Sequence, residues 1–237
     1  MLLYYVRHGD PVYDPDSLTP LGQEQAKAVA KRLALYGLDE IYVSTSIRAQ
    51  QTAQPTCDLL KKQAVLLDWT HEGHAWNELT VQLPNGGKTW AFSHKETKKS
   101  FRSEEVRKLG KLWYTYPSLR QYEKGIRRIE QETDVFLLSL GYRHDRENNC
   151  FEAIAPSEKR IALFAHQGFG LAFLSSVLDI PYPTFSTSFD LSHSSVTVID
   201  FGKETEKTVY PKALQLANDS HLYKEGLLTG YNNGIRV

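Results

Sequence analysis

Three short stretches of the chain place the residue types of phosphate chemistry just beyond apolar runs. Arg7-His8-Gly9 follows Met1-Leu2-Leu3-Tyr4-Tyr5-Val6, Ser46-Ile47-Arg48 follows Ile41-Tyr42-Val43-Ser44, and His166-Gln167-Gly168 follows Arg160-Ile161-Ala162-Leu163-Phe164-Ala165. An arginine presents a planar fork of donors that fits phosphate oxygens. A histidine can attack phosphorus through a ring nitrogen and carry the covalent intermediate, and a glycine after it lets the backbone turn sharply and approach a ligand closely. A leaving alkoxide also needs a proton, and Asp68, Glu72 and Glu78, past the run Ala64-Val65-Leu66-Leu67, are the acids on offer. Two arginines and a second histidine would stabilise the charge on the equatorial oxygens of a phosphoryl group in transfer, without requiring a metal. His71-Glu72-Gly73-His74 hints at a metal pair, but two histidines without further ligand spacing are a weak signal.

The elements that must hold these residues read as β-α-β. The opening run is a strand. Thr19-Pro20 reads as an N-cap followed by proline at the first helical position. Ala26, Val29, Ala30 and Leu33 then repeat with the spacing of a helix packing on a sheet, ending near Gly37. Residues 41–44 form the next strand, a helix follows from about Ala49 with Pro55 expected to kink or break it, and 64–67 is a further strand with Trp69 to Trp76 as a loop beyond. Crossovers of this kind imply a parallel sheet covered by helices, and ligands in such sheets bind outside the carboxyl ends of the strands.

From Pro84 to about Pro156 the pattern changes to a helical insert, with helices expected over 103–113 and 119–140. Between Lys88 and Arg128 there are twelve Lys/Arg and four Asp/Glu, which reads as solvated helix faces or as a cap that attracts an anionic substrate. The sheet resumes at 160–165, the apolar stretch Phe169 to Leu178 is a helix, and 195–201 and 208–210 supply the last strands. The tail from Asn218 to Val237 reads as a wrapping loop.

The totals fit this picture. A chain of 237 residues with 41% hydrophobic and 24% charged residues suits one α/β domain with an insertion. Lys+Arg and Asp+Glu balance at 28 each, so no global charge points to nucleic acid or membrane. Two cysteines are too few for a disulfide framework and favour a reducing, cytoplasmic setting. No run has the length of a membrane span, and the N-terminus lacks the marks of a signal peptide.

Four separated features line up in order: Arg7-His8-Gly9; Leu18-Thr19-Pro20-Leu21-Gly22 with Gln25-Ala26; Ser44-Thr45-Ser46-Ile47-Arg48-Ala49 with Thr52-Ala53; and His166 opening a helix. Together they resemble the histidine phosphatase superfamily, in its phosphoglycerate-mutase-like branch, over residues 1–80 and 160–222. The resemblance implies that His8 becomes phosphohistidine, that Arg7, Arg48 and His166 form the phosphate pocket, and that no metal or other cofactor is needed. Glu72 lies at the spacing from Arg48 that the acid has in family phosphatases, with Asp68 as the alternative donor. The sequence departs from the family where Asp10-Pro11 follows the first motif, where Asp14 takes the place of an expected Asn, and at Gln167. Ser46 and Gln23 read as cap and turn residues, and His193, His221 and the Tyr231–Gly234 stretch as structural or packed behind the site.

The expected fold is therefore a single three-layer α/β/α sandwich spanning 1–237, mostly parallel, with a helical cap over about 84–156 that roofs the pocket with Trp90, Phe92, Trp113, Tyr114 and Tyr116. The expected activity is hydrolysis of a small-molecule phosphomonoester. The alternatives are a phosphoglycerate-type mutase, which needs a pocket closed to water, or a non-catalytic phospho-ligand binder on the same fold.

Overall fold

The opening apolar run forms the strand Leu2–Arg7, and its alternation sorts the molecule into layers. The computed structural model describes residues 1–202, 205, 207–232, 234 and 235. Leu3 and Tyr5 enter a large core with Leu163, Phe169 and Phe173, whereas Val6 enters a second core with Val29, Leu33, Val43 and Phe164. Successive side chains of a strand point to opposite faces, so a strand buried on both sides must be apolar throughout.

Six strands make the central sheet, in the spatial order Lys212–Asn218, Val196–Asp200, Leu2–Arg7, Arg160–Ala165, Glu40–Ser44 and Ala64–Leu67. The last four are mutually parallel, and the first two add an antiparallel edge. The helices Pro20–Ala34 and Ile47–Leu60 bring Val29, Leu33, Ala49 and Ala53 to the second core, while Glu123–Ser139 and Gln167–Val177 supply the other core. This is the mixed α/β fold with a mostly parallel sheet that the sequence implies.

Several elements differ from the sequence reading, each for a local reason. The helix Ile47–Leu60 runs through Pro55, because Thr52, Ala53, Thr56 and Cys57 on either side of it are buried and outweigh one lost hydrogen bond. The stretch expected as a loop contains a 3₁₀ turn, Asp68–Thr70, and the helix Glu72–Glu78, which is too short to show a periodicity. Within 84–156, α-helix is confined to Lys95–Phe101, Glu104–Leu109 and Glu123–Ser139. The segments Gly110–Thr115 and Pro117–Tyr122 are 3₁₀, Pro117 interrupting any longer helix. Two small antiparallel pairings accompany them: Thr80–Gln82, just before this stretch, with Lys88–Trp90, and Tyr142–Asp145 with Cys150–Ala153. Thr208–Val209 pairs with the latter sheet and not the central one, whose final strand, Lys212–Asn218, is a half-exposed edge without an apolar signature. The tail carries a short helix, Ser220–Lys224. Positions 233, 236 and 237 of the expected wrapping loop lie outside the described residues.

A polar cluster ties residues 84–156 to the turn after Gln167–Val177. His144 hydrogen-bonds through Nδ1 to Asp134 (2.8 Å) and through Nε2 to Asp179 (3.1 Å). Arg146 forks onto Asp134, Lys111 donates to Asp179 at 2.6 Å, and Glu130 stands 3.9 Å from Arg146. Burial acts to lower the His144 pKa, but hydrogen bonds to both carboxylates overcome it and the net shift is upward. Burial likewise raises Asp134 and Asp179, and their hydrogen bonds to His144 and to Arg146 or Lys111 bring both below the usual carboxylate range.

A histidine whose folded pKa is raised stabilises the fold fully below its unfolded value and loses that contribution as pH rises through the folded value; depressed carboxylates contribute above their unfolded value. The cluster is therefore at full strength between about pH 4 and 6.5. The stability difference between the wild type and His144→Gln, read from urea midpoints, is expected to be largest in that window and to shrink as pH rises above it. A constant difference up to pH 9 would contradict the assignment.

Candidate active site

Sheet register brings the two histidines together. Arg7 pairs with Ala165 across the parallel strands, and the His8 amide donates to the Ala165 carbonyl at 2.9 Å, so the residue after each strand stands beside the other. The His8 and His166 rings meet edge to face with centroids 5.3 Å apart. The next strand, Glu40–Ser44, delivers Ser44 and Ser46, and the helix after it carries Arg48. Behind His8 the backbone bends across the N-terminal turn of Pro20–Ala34. A Cβ at Gly9 would stand 2.6 Å from the Gly22 carbonyl oxygen, so the turn closes only with glycine there. Thr52 Oγ1 accepts from the Gly9 amide at 3.0 Å and fixes the loop to Ile47–Leu60.

His8 is 2% exposed, and its Nδ1 lies 2.7 Å from the carbonyl of Gly9. A carbonyl can only accept, so Nδ1 bears the proton and Nε2 keeps the lone pair. Burial, followed by Arg7, His166 and Arg48, holds the His8 pKa well below the ordinary imidazole value. His166 accepts from Arg48 Nη2 at Nδ1 (3.2 Å) and lies 2.8 Å from Ser44 Oγ at Nε2. Its pKa is also well lowered, by burial first and then by Arg48. Both imidazoles are thus neutral, and His166 spends its two nitrogens on Ser44 and Arg48.

The arginines are anchored from behind. Arg7 is fully buried and donates to the Leu191 carbonyl and, at 2.6 Å, to Asn232 Oδ1. Arg48 donates from Nη1 to Asp16 at 2.6 Å, and Asp16 also accepts from the Ile47 amide at 2.7 Å. Among the described residues, the Nε atoms of both arginines are buried without a hydrogen-bond partner.

Glu72 begins the helix Glu72–Glu78, yet its carboxylate is held by a different element. Oε1 accepts from the Gly168 amide (2.9 Å) and Oε2 from the Phe169 amide (3.3 Å), in the first turn of Gln167–Val177. Burial raises its pKa, while those amides, Arg48 and Arg7 pull the other way without cancelling the rise. Asp68, the alternative acid, is exposed and bonded to Thr45 and His74, and it does not line the cavity. Asp14 is exposed, as is Gln23.

His8, Arg48 and Glu72 open onto a cavity of about 570 Å³, whose other walls include Tyr13, His71, Trp76, Trp90, Gln167 and Asn232. The structure therefore gathers Arg7, His8, Arg48, Glu72 and His166 at one end of the sheet and leaves Asp68 outside. Trp113 and Tyr114 of the expected roof are core residues. Sequence reasoning did not single out Asp16, Tyr13 or Asn232 as site residues. His193, read as structural, stacks on His8 at 6.1 Å, bonds to Asn232 and stands 3.3 Å from Asp10 out of hydrogen-bond alignment. Burial and Arg7 push its pKa down to about 4. Among the described residues no group of three or more His, Cys, Asp or Glu side chains is placed to hold a metal, and no helix is long and apolar enough to cross a membrane.

The sheet thus delivers paired histidines and arginines from its carboxyl ends. Residues 3–109, which include Arg7, His8, Arg48 and Glu72, match the family described as the histidine phosphatase superfamily (branch 1). Among solved structures, a mutant of phosphoserine phosphatase from Entamoeba histolytica in complex with phosphoserine superposes with a TM-score of 0.58 at 21% identity, covering 93% of this chain and 98% of that one. A mycobacterial glucosyl-3-phosphoglycerate phosphatase gives 0.56 at 14% identity over 91% and 98% of the two chains. The alpha-ribazole phosphatase of Shigella flexneri gives 0.56 at 16% over 92% and 97%. At these identities the likeness is one of fold. No curated protein sequence matches the chain.

The electrostatic arrangement is directly measurable. In a histidine-resolved NMR titration, His8 and His166 are expected to remain neutral at pH 6, and His193 and His221 to titrate near 4. A His8 titration at the ordinary value of about 6.5 would show that burial and the neighbouring cations do not act on it as described.

Proposed function

We propose that the chain is a phosphomonoester hydrolase working through a phosphohistidine on His8. The observation that carries this reading is the Nδ1 contact with the Gly9 carbonyl, which leaves a buried, uncharged Nε2 with its lone pair at a cavity shared with Arg48 and Glu72. The Nε atoms of Arg7 and Arg48 are donors in want of acceptors, and phosphoryl oxygens supply them. His166 holds Arg48 at the pocket and completes it behind His8. The match of residues 3–109 to the superfamily and the phosphatase names of the solved neighbours support the same reading.

In the first step the Nε2 lone pair forms a bond to phosphorus as the phosphorus–ester oxygen bond breaks. Protonated Glu72 gives its proton to the departing oxygen, so a neutral alcohol leaves. In the second step the Glu72 carboxylate takes a proton from water as the water oxygen bonds to phosphorus and the phosphorus–nitrogen bond breaks. The lone pair returns to Nε2, inorganic phosphate leaves, and Glu72 is again an acid. Burial and the helix-terminal amides act on Glu72 in opposite directions, which suits a group that must both give and accept a proton. The first step requires neutral His8 and protonated Glu72, so kcat/KM should fall as pH rises through the elevated Glu72 pKa.

His8→Ala should abolish phosphate release. Glu72→Gln should slow turnover of alkyl phosphates by about 10²- to 10⁴-fold. Its kcat/KM for 4-nitrophenyl phosphate, which reports the first step, should fall much less than that for alkyl phosphates, because that leaving group departs without a proton. Equal losses in kcat/KM on both esters would remove Glu72 from the role of acid. Unchanged phosphate release by His8→Ala would overturn the mechanism.

A further inference from the structure

The wall of the cavity next to Glu72 is aromatic and rigid. The Gly168 position shows how close the groups are: a Cβ there would stand 2.4 Å from the Trp90 ring and 2.8 Å from Glu72 Oε1. The indole edge and the acid therefore flank one point, at the amide that holds the acid. Trp90 is braced on both sides. It stacks on Phe92 with centroids 5.6 Å apart and planes 12° from parallel, and it meets Trp76 edge to face at 4.9 Å. Trp76 and Trp90 both line the cavity, as does Tyr13, whose ring centroid is 5.3 Å from the Arg48 guanidinium carbon.

With phosphorus at His8, the ester oxygen points to Glu72, because only there can it collect its proton. The first atoms of the leaving group must then lie against Trp90. A phosphorylated two- or three-carbon acid would fill little of a 570 Å³ cavity and would leave both indoles facing water. A flat conjugated ring would cover them and stack in an offset or edge-on geometry. Trp90, Gln167 and Asn232 also line a second cavity of about 390 Å³ with Lys98 and Thr187 on its walls, which offers room for substituents on such a ring.

Resting on the hydrolase reading above, we propose that the favoured substrates are phosphomonoesters whose phosphorylated oxygen is carried on, or one carbon from, a flat conjugated ring seated on Trp90 and Trp76. These two tryptophans set specificity for the organic group, while the arginines and histidines bind the phosphoryl group common to all esters.

The test is calorimetric binding to the His8→Ala protein, which separates recognition from chemistry. 1-Naphthylmethyl phosphate is expected to bind roughly tenfold or more tightly than glycerol 1-phosphate. Adding Trp90→Ala should reduce the naphthyl ester to the level of the glycerol ester and leave inorganic phosphate within about twofold of its starting affinity, as expected for an aromatic contact separate from the phosphate pocket. Trp76→Ala is the second variant, with a partial loss of the same preference. Equal affinity for the two esters with both tryptophans present, or a preference that survives both substitutions, overturns the inference. Wild-type protein that shows the preference yet releases phosphate from neither ester supports the aromatic seat and overturns hydrolysis, so the two readings fail separately.

Discussion

Arg7 and Arg48 crowd positive charge against two enclosed imidazoles, and the arrangement holds because neither imidazole needs to accept a proton. Charging His8 would mean placing a third cation beside two guanidinium groups in a region from which water is largely removed, a cost that grows as the local dielectric falls. The Gly9 carbonyl orients the neutral ring, Ser44 and Arg48 do the same for His166, and Leu191, Asn232 and Asp16 immobilise the arginines. The pocket is electropositive without depending on a histidine being charged. On the hydrolase reading proposed above, an incoming dianion would meet fixed donors, with a nitrogen lone pair available among them.

That arrangement depends on the sheet more than on any loop. The pairing of Arg7 with Ala165 fixes the lateral offset of His8 from His166, and a slip of one residue would turn both side chains to the wrong face. Tyr5 reinforces the register from below: its hydroxyl donates to the His166 carbonyl at 2.6 Å and accepts from the His166 amide at 3.1 Å. The residues at the mouth of the cavity come from elsewhere. Tyr13 lies on a hairpin strand, Trp90 on a short pairing, and Asn232 on the tail.

The sequence disclosed what short-range patterns can encode. The apolar runs ending at Arg7, Ser44 and Ala165 announced the parallel strands, and Thr19 capped its helix as its type implies, accepting from the Gly22 amide at 3.0 Å. Residues that meet through tertiary packing were harder to see. Asn232 is brought to Arg7 from 225 positions away by a segment with no periodicity of its own. Asp16 reaches Arg48 because a hairpin folds back on the helix terminus, whereas in the sequence it is one of several acids in a turn-rich stretch. The edge strand Lys212–Asn218 is half exposed, so the burial that would mark it is absent. Trp113 and Tyr114 looked like roof residues by composition, and only packing shows that the core absorbs them.

The attachment of Glu72 has a consequence for how such a protein can change. Glu72 belongs to one segment, but its oxygens rest on amides at the start of Gln167–Val177, the helix that springs from the strand paired with the strand before His8. The imidazole and the carboxyl group thus share one rigid frame, and the aromatic residues at the cavity mouth do not belong to it. Substitutions or length changes around Trp90 can reshape what is admitted while the spacing between the His8 nitrogen and the Glu72 carboxyl stays constant. The molecule is divided into a fixed engine mount and an exchangeable mouthpiece, and diversification in one leaves the other in working order.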